Sequence, residues 1–142
     1  MIKLNVINET DYIIDVRHLK KIAKQASKEL ALTSKLSLNV LFTNNEMIYE
    51  YNLKYRNIDS ETDVLSFPSD EKKELGDIII SLERAELQSK EYNHSLKREV
   101  SFLLTHGILH CMGYDHQTKE EETVMFNLQE KILEKAGISR ND

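Results

Sequence analysis

Three histidines near the C-terminal end of the chain are the residues best suited to chemistry. His106 and His110 are four positions apart in an apolar segment, and His116 follows after Gly113. Residues four apart in a helix lie on one face, about one turn from each other. This spacing lets one helix present two imidazoles to a zinc ion, and His116 supplies a third after the turn. Three histidines leave the fourth position of a tetrahedral site open to water, as in catalytic zinc sites.

The sequence therefore predicts one metal ion, with zinc as the expected metal, although three imidazoles also suit nickel or iron. Zinc lowers the pKa of a bound water to roughly 7, so hydroxide is available at the pH of the cell. Cys111 adjoins His110 but points about 100° away from it around the helix. We interpret Cys111 as a small buried packing residue, because it is poorly placed to be a fourth ligand.

The spacing His-x3-His-x5-His, with a glycine before the last histidine, also occurs in the metzincin peptidases. Those enzymes need a glutamate directly after the first histidine as the general base. Here Gly107 occupies that position and has no side chain that could move a proton. A peptidase of that mechanism is disfavoured, and the base must be another group or the metal-activated water. A close backbone approach beside the site or plain helix packing would each explain Gly107.

The elements that must position these histidines follow from periodicity and turn signals. Alternating apolar residues or continuous apolar runs predict strands, and apolar residues spaced by 3.6 predict helices. Capping-box pairs, Thr43 with Glu46 and Thr118 with Glu121, mark two helix starts. Pro68 should end the strand that precedes it. The predicted strands are 2–7, 36–42, 63–67 and 76–82, and the predicted helices are 15–31, 43–55, 83–92, 96–112 and 118–136.

This order, β-α-β-α-β-β-α-α-α, predicts an α/β or α+β fold with one small mixed sheet and about five helices. The 142 residues are typical of a single domain, which we expect to span 1–142. The segment 96–112 is apolar on most sides, as expected of a central buried helix. That helix would carry His106 and His110.

Composition restricts the setting in which the protein works. The net charge is −5 with 30% charged residues, which disfavours binding to nucleic acid by a global basic field. One cysteine rules out an intramolecular disulfide and suits a reducing compartment. No leader is visible, and apolar runs of three residues are far short of the ~20 that a membrane span needs. We expect a cytoplasmic protein that does not enter a membrane. The sequence does not determine its oligomeric state.

Four basic residues form a stripe on the outer side of the first helix: Arg17, Lys21, Lys24 and Lys28. A solvated surface explains this stripe.

Three motifs make the chain similar to a known family. Residues 106–116, HGILHCMGYDH, resemble the signature HGxLHxxGYDH of the YbeY family. Residues 55–59 and 62–68, YRNID and TDVLSFP, resemble its second motif, and residues 75–78, LGDI, resemble its third. The glycine in the glutamate position separates the first motif from the metzincins. The three blocks occur in the order of the family, and the resemblance covers essentially the whole chain.

The resemblance implies a zinc-dependent, single-strand-specific endoribonuclease. Such proteins act in rRNA maturation, notably at the 3′ end of the small-subunit rRNA, and in ribosome quality control. The implied partners are single-stranded rRNA and the small ribosomal subunit or its proteins. A contact with rRNA or a ribosomal protein is therefore the alternative explanation for the basic stripe of the first helix. His106, His110 and His116 match the metal ligands of the family, and Arg56 matches its functionally important arginine.

Physical chemistry gives several residues plausible tasks in that reaction. The Arg56 guanidinium can hold phosphate oxygens bidentately, although pairing with Asp59 or Asp63 is the simpler alternative. Asp115 can orient a metal ligand, assist proton transfer, or merely shape a turn. Ser66 and Phe67 can form a wall of the cleft, where Phe67 would stack on a base or else belong to the core.

Two other kinds of function stay open at this point. One is another metal hydrolase, a peptidase or a phosphoesterase. The other is a non-enzymatic ribosome-assembly factor whose metal only braces the fold. The attacking group, a metal-activated water or the ribose 2′-OH, is also left open by the sequence.

Overall fold

One mixed sheet of four strands forms the framework of the molecule. The computed structural model describes residues 1–139 and 142. The spatial order of the strands is β1-β2-β4-β3. Strands β1, β2 and β4 run parallel, and β3 pairs antiparallel with β4 at the sheet edge. The strands are β1 Ile2–Asn8, β2 Leu36–Thr43, β3 Val64–Pro68 and β4 Glu74–Ser81.

Five helices complete the described chain and confirm the predicted element order and α+β class. They are α1 Val16–Glu29, α2 Asn45–Arg56, α3 Leu82–Glu91, α4 Leu96–Cys111 and α5 Lys119–Lys135. The capping box at Thr118 and Glu121 is present, with both of its hydrogen bonds, at the start of α5. Within residues 1–139 and 142, no helix is long and apolar enough to cross a membrane.

The predicted cap of α2 is wrong by one residue. Asn44, not Thr43, caps this helix, because its side chain accepts a hydrogen bond from the backbone N–H of Met47 at 2.9 Å. Thr43 is instead the last residue of β2, where it is buried and pairs with Ser81 of β4. Strand pairing therefore holds Thr43 in the sheet, and the next polar residue takes over the cap.

The two faces of the sheet carry different helices. One face packs against α1 and α4, on which α5 lies in turn, in the main apolar core, which includes Ile78 and Ile80. The opposite face bears a smaller cluster beneath α2, formed by Ile48, Leu65 and Ile79. Strand β4 is consequently buried on both sides, as its continuous apolar run predicts.

Helix α4 lies in the middle of the larger layer and contacts α1, α3, α5, β3 and β4. It packs tightly on the sheet at Gly107, where a Cβ would lie 2.8 Å from Cδ1 of Ile78. Of the two explanations for this glycine, the structure shows helix–sheet packing. Because Gly107 faces the sheet, the side of α4 that carries His106 and His110 is turned away from it, and His106 contacts α5 through Gln129.

Candidate metal centre

The three histidines singled out from the sequence converge in the structure. His106 and His110 stand one turn apart on α4, and His116 follows in the turn before α5. One potential ligand atom from each lies within 4.8 Å of the other two. The Nε2 atoms of His106 and His110 are 3.0 Å apart. Two nitrogens bound to a tetrahedral zinc at ~2.0–2.1 Å would be about 3.3 Å apart, so this geometry suits a metal.

A tight turn brings the third histidine back toward α4. Gly113 adopts a left-handed φ of 98° directly after the helix, and the Tyr114 N–H donates to the Leu109 carbonyl at 3.0 Å. One residue later, the Asp115 carboxylate accepts from the backbone N–H of His116 at 2.7 Å. These local bonds reverse the chain, so that the His116 ring lies 5.2 Å from the His110 ring.

Burial keeps the imidazoles in the form that binds metals. Desolvation, with smaller contributions from His110 and His116, lowers the pKa of His106 to about 4. Desolvation is also the main cause that lowers the pKa of His110, and the nearby charge of Arg56 acts in the same direction. A metal ligand must be a neutral imidazole. At neutral pH these two rings therefore satisfy that requirement, and the donor set suits zinc.

Two further side chains hold the ring of His106. Phe102, one turn earlier on α4, stacks on it with centroids 6.2 Å apart and planes 18° from parallel. Gln129 of α5 places its amide 3.2 Å from Nδ1 of the same ring. The sequence analysis missed Gln129. Its signal is a polar residue inside the buried stripe of α5, between Met125 and Ile132.

Arg56 is the last residue of α2, and Asn57 ends the helix there with a left-handed φ of 56°. The Arg56 side chain is exposed, and within residues 1–139 and 142 it forms no ion pair. Asp59 accepts from the Tyr49 hydroxyl, and Asp63 accepts from the Gln88 amide and from its neighbour's backbone. The alternative in which Arg56 merely pairs with one of these aspartates is therefore not what the structure shows.

The remaining candidates lie at different distances from the three histidines. The charge of Asp115 raises the pKa of His110, although burial outweighs it, so this carboxylate faces the site as well as shaping the turn. Ser66 and Phe67 are adjacent in β3, so they point to opposite faces of the sheet. Phe67 packs with the cluster beneath α2, with its ring 6.1 Å from that of Tyr55. The structure thus places Phe67 on the α2 face, away from α4.

Cys111 packs against the core, as the sequence predicts, although it is only partly buried. Its sulfur lies against Gly76, where an added Cβ would be only 2.9 Å away. Burial raises the pKa of its thiol to about 12, and Asp77 adds to the shift. The thiol is therefore protonated at neutral pH, which makes it a poor metal ligand and a poor nucleophile.

The two other histidines make contacts elsewhere. The His18 ring contacts the hydroxyl of Ser101 at 2.8 Å, and the His94 ring contacts the carboxylate of Glu99 at 2.7 Å. Both contacts tie α4 to its neighbours. Neither histidine belongs to the cluster of potential ligands.

Comparisons with known proteins agree on one family. The family model described as endoribonuclease YbeY matches residues 5–137 of the chain. The endoribonuclease YbeY of Acholeplasma laidlawii is 52% identical over 106 residues, which cover 73% of this chain and 77% of that protein. The endoribonuclease YbeY of Bacillus subtilis is 36% identical over 153 residues, which cover 97% of this chain and 98% of that protein.

A solved structure supports the fold as well. The solution structure of TM1509 from Thermotoga maritima is similar with a TM-score of 0.68 and 26% sequence identity. The similarity covers 94% of this chain and 89% of that one. The arrangement of sheet and helices is therefore shared across most of both chains.

Proposed function

The chain belongs to the endoribonuclease YbeY family, and on this basis we propose that it is a metal-dependent endoribonuclease that cleaves single-stranded RNA. Its proposed task is rRNA maturation, notably at the 3′ end of the small-subunit rRNA, together with ribosome quality control. The observation that carries this proposal is the convergence of three imidazoles, two of them partly buried with lowered pKa values, on one point near an unpaired arginine.

In this proposal, His106, His110 and His116 hold one zinc ion. When bound, zinc supplies a Lewis acid and lowers the pKa of a water ligand to about 7. The protein contributes the positioning, because two ligands stand on a helix that is packed on several sides and the third is held by a hydrogen-bonded turn.

Arg56 is the proposed phosphate-binding residue. Cleavage of a phosphodiester places additional negative charge on the phosphate oxygens, which a guanidinium can hold with two parallel hydrogen bonds. Arg56 is exposed and free of acidic partners, so its donors are available to a substrate. Its effect on the pKa of His110 supports a position near the metal ligands.

Asp115 is the proposed partner for proton transfer, because its carboxylate lies beside His110 and His116. Ser66 and Phe67 are proposed to support the substrate from β3. Phe67 packs against Tyr55, whose side chain is 58% exposed and precedes Arg56 in α2. An RNA strand held at Arg56 would therefore meet an exposed ring on which a base can stack.

We place this activity in the cytoplasm, with the small ribosomal subunit or its proteins as the partner. The net charge of −5 disfavours tight non-specific binding to RNA, so recognition needs local contacts. The basic stripe of α1, formed by Arg17, Lys21, Lys24 and Lys28, is fully exposed and opposite the buried face of that helix. It supplies one local positive surface for such a contact.

The experiment that tests the proposal combines metal analysis with cleavage of a defined rRNA precursor. We expect His110→Ala to lose zinc and cleavage together. We expect Arg56→Glu to keep zinc but lose cleavage by about 10²–10³-fold, the usual cost of removing a group that stabilises transition-state charge. Lys3→Glu is the matched control, because it makes the same change of charge at an exposed residue of β1, at the opposite edge of the sheet from β3. It should cleave at nearly the wild-type rate.

Other outcomes would reverse the assignment. Wild-type cleavage by metal-free protein would overturn the metal mechanism. A purified protein that cleaves peptides but not RNA would identify another class of hydrolase. Normal rRNA maturation supported by folded, metal-free His110→Ala would identify a non-enzymatic assembly factor.

A further inference from the structure

We propose that Gln129 is a positioning residue for the metal centre, because its amide sets which nitrogen of His106 carries the proton. The inference rests on the metal site proposed above. In the metal-binding state, the amide oxygen accepts a hydrogen bond from Nδ1–H of His106. The Nε2 atom, which faces His110, then keeps its lone pair for the metal.

The position of Gln129 supports this role. It is only 3% exposed, and it lies on α5, across from the α4 helix that carries His106. The two side chains line the same cleft of about 410 Å³ between α4 and α5. The amide lies 3.2 Å from Nδ1, while Nε2 of the same ring points to Nε2 of His110 at 3.0 Å. One nitrogen of His106 therefore faces the protein, and the other faces the metal position.

The chemistry of the contact allows only one pairing when a metal is bound. A neutral imidazole carries a proton on one nitrogen and a lone pair on the other. In the structure, the nitrogen of the Gln129 amide faces Nδ1 of His106. If this nitrogen donates to Nδ1, the proton of the neutral His106 ring must be on Nε2. That tautomer cannot bind a metal through Nε2. Turning the amide by 180° exchanges its oxygen and nitrogen within the same space, so that the oxygen accepts from Nδ1–H.

A purely structural role explains Gln129 poorly. Its neighbours on the buried stripe of α5 are Met125 and Ile132, so an apolar side chain would suit the surrounding core. Burying an amide is costly unless it finds a hydrogen-bonding partner. The partner here is a potential metal ligand. Partners of this kind on the far nitrogen of a ligating histidine typically improve metal affinity by about 10–100-fold.

The test compares Gln129→Leu and Gln129→Glu with the wild type in zinc titrations against a competing chelator. We expect Gln129→Leu to bind zinc about 10–100-fold more weakly. We expect Gln129→Glu to bind zinc at least as tightly as the wild type, because a carboxylate can only accept from Nδ1–H. Gln88→Leu is the matched control, since Gln88 is also a buried glutamine but bonds to Asp63 and Glu99 instead. It should retain the zinc affinity of the wild type.

A spectroscopic readout separates positioning from simple stabilisation. In nitrogen-15 NMR of the zinc-loaded wild type, His106 should show a protonated Nδ1 and a metal-bound Nε2. Equal zinc affinity in Gln129→Leu and the wild type, equal losses in Gln129→Leu and Gln88→Leu, or zinc on Nδ1 would each overturn the inference. Failure of the wild type itself to bind zinc would instead refute the proposed metal site.

Discussion

The low pKa of His106 predicts that acid destabilises the metal-free protein in a particular pH range. The group titrates near 6.5 in the unfolded chain and at about 4 in the folded one. Between these pH values, His106 is protonated in the unfolded state but not in the folded state. The free energy of unfolding therefore falls as the pH falls. The contribution of His106 to the free energy of unfolding is fully present above pH 6.5 and is lost as the pH drops to about 4.

The size of this effect on the free energy of unfolding follows from the lowering of the His106 pKa from 6.5 to about 4. Each pKa unit corresponds to about 1.4 kcal/mol, and partial solvent screening of the ring reduces the total to about 2–3 kcal/mol. Within the range, the wild type should lose about 1 kcal/mol of stability per pH unit more than a variant without this ring. His106→Asn is a suitable variant, because its shorter amide can still contact Gln129.

The assay is urea unfolding followed by circular dichroism, at pH steps from 4.5 to 7.5 and with a chelator present. His18 and His110 also have lowered pKa values, so both proteins should become less stable in acid. Only the wild type should show the additional slope from His106. Identical pH slopes in the two proteins would refute the reasoning, because burial would then not keep this ring neutral.

Two further predictions concern the packing around the site. Gly76→Ala should cost about 2–4 kcal/mol in urea unfolding, because its Cβ would lie 2.4 Å from the Phe67 carbonyl oxygen. Gly137→Ala, also at a positive φ but with nothing within 4 Å, should cost only about 1–2 kcal/mol, and equal costs would contradict the steric argument. Cys111, with its thiol pKa of about 12, should resist alkylation at pH 8 until the protein is unfolded. Cys111→Ala should bind zinc like the wild type, and weaker binding would make the thiol a ligand.

Much of the fold follows from local patterns. The order of strands and helices and the capping box of α5 agree with the sequence analysis, and β3 ends with Pro68, one residue beyond the predicted bound. These features depend on residues within a few positions of each other. The cap of α2 differs because Thr43 and Asn44 can both cap a helix, and only the pairing of β2 with β4 decides between them.

The residues of the candidate site also fall into two groups, those placed by local sequence and those placed only by tertiary packing. Four-residue spacing in a helix places His106 and His110 together, and the glycine after the helix returns His116 to them, so local geometry suffices for the three ligands. Gln129 reaches His106 from 23 positions away, and such a contact exists only once α5 has packed on α4. The sequence also left open on which side of the sheet Phe67 lies, and the packing of β3 beneath α2 places it beside Tyr55.

The sequence by itself determined which residues can ligate a metal and that they lie close together. Hydrogen bonding within a helix and a turn acts over a few residues and needs no distant partner. The tertiary structure decided the protonation state of those histidines and the contacts of their rings. Packing of α5 and the sheet against α4 buries His106, holds its ring between Phe102 and Gln129, and lowers its pKa. Desolvation depends on everything that surrounds a group, and only the folded chain brings those surroundings together.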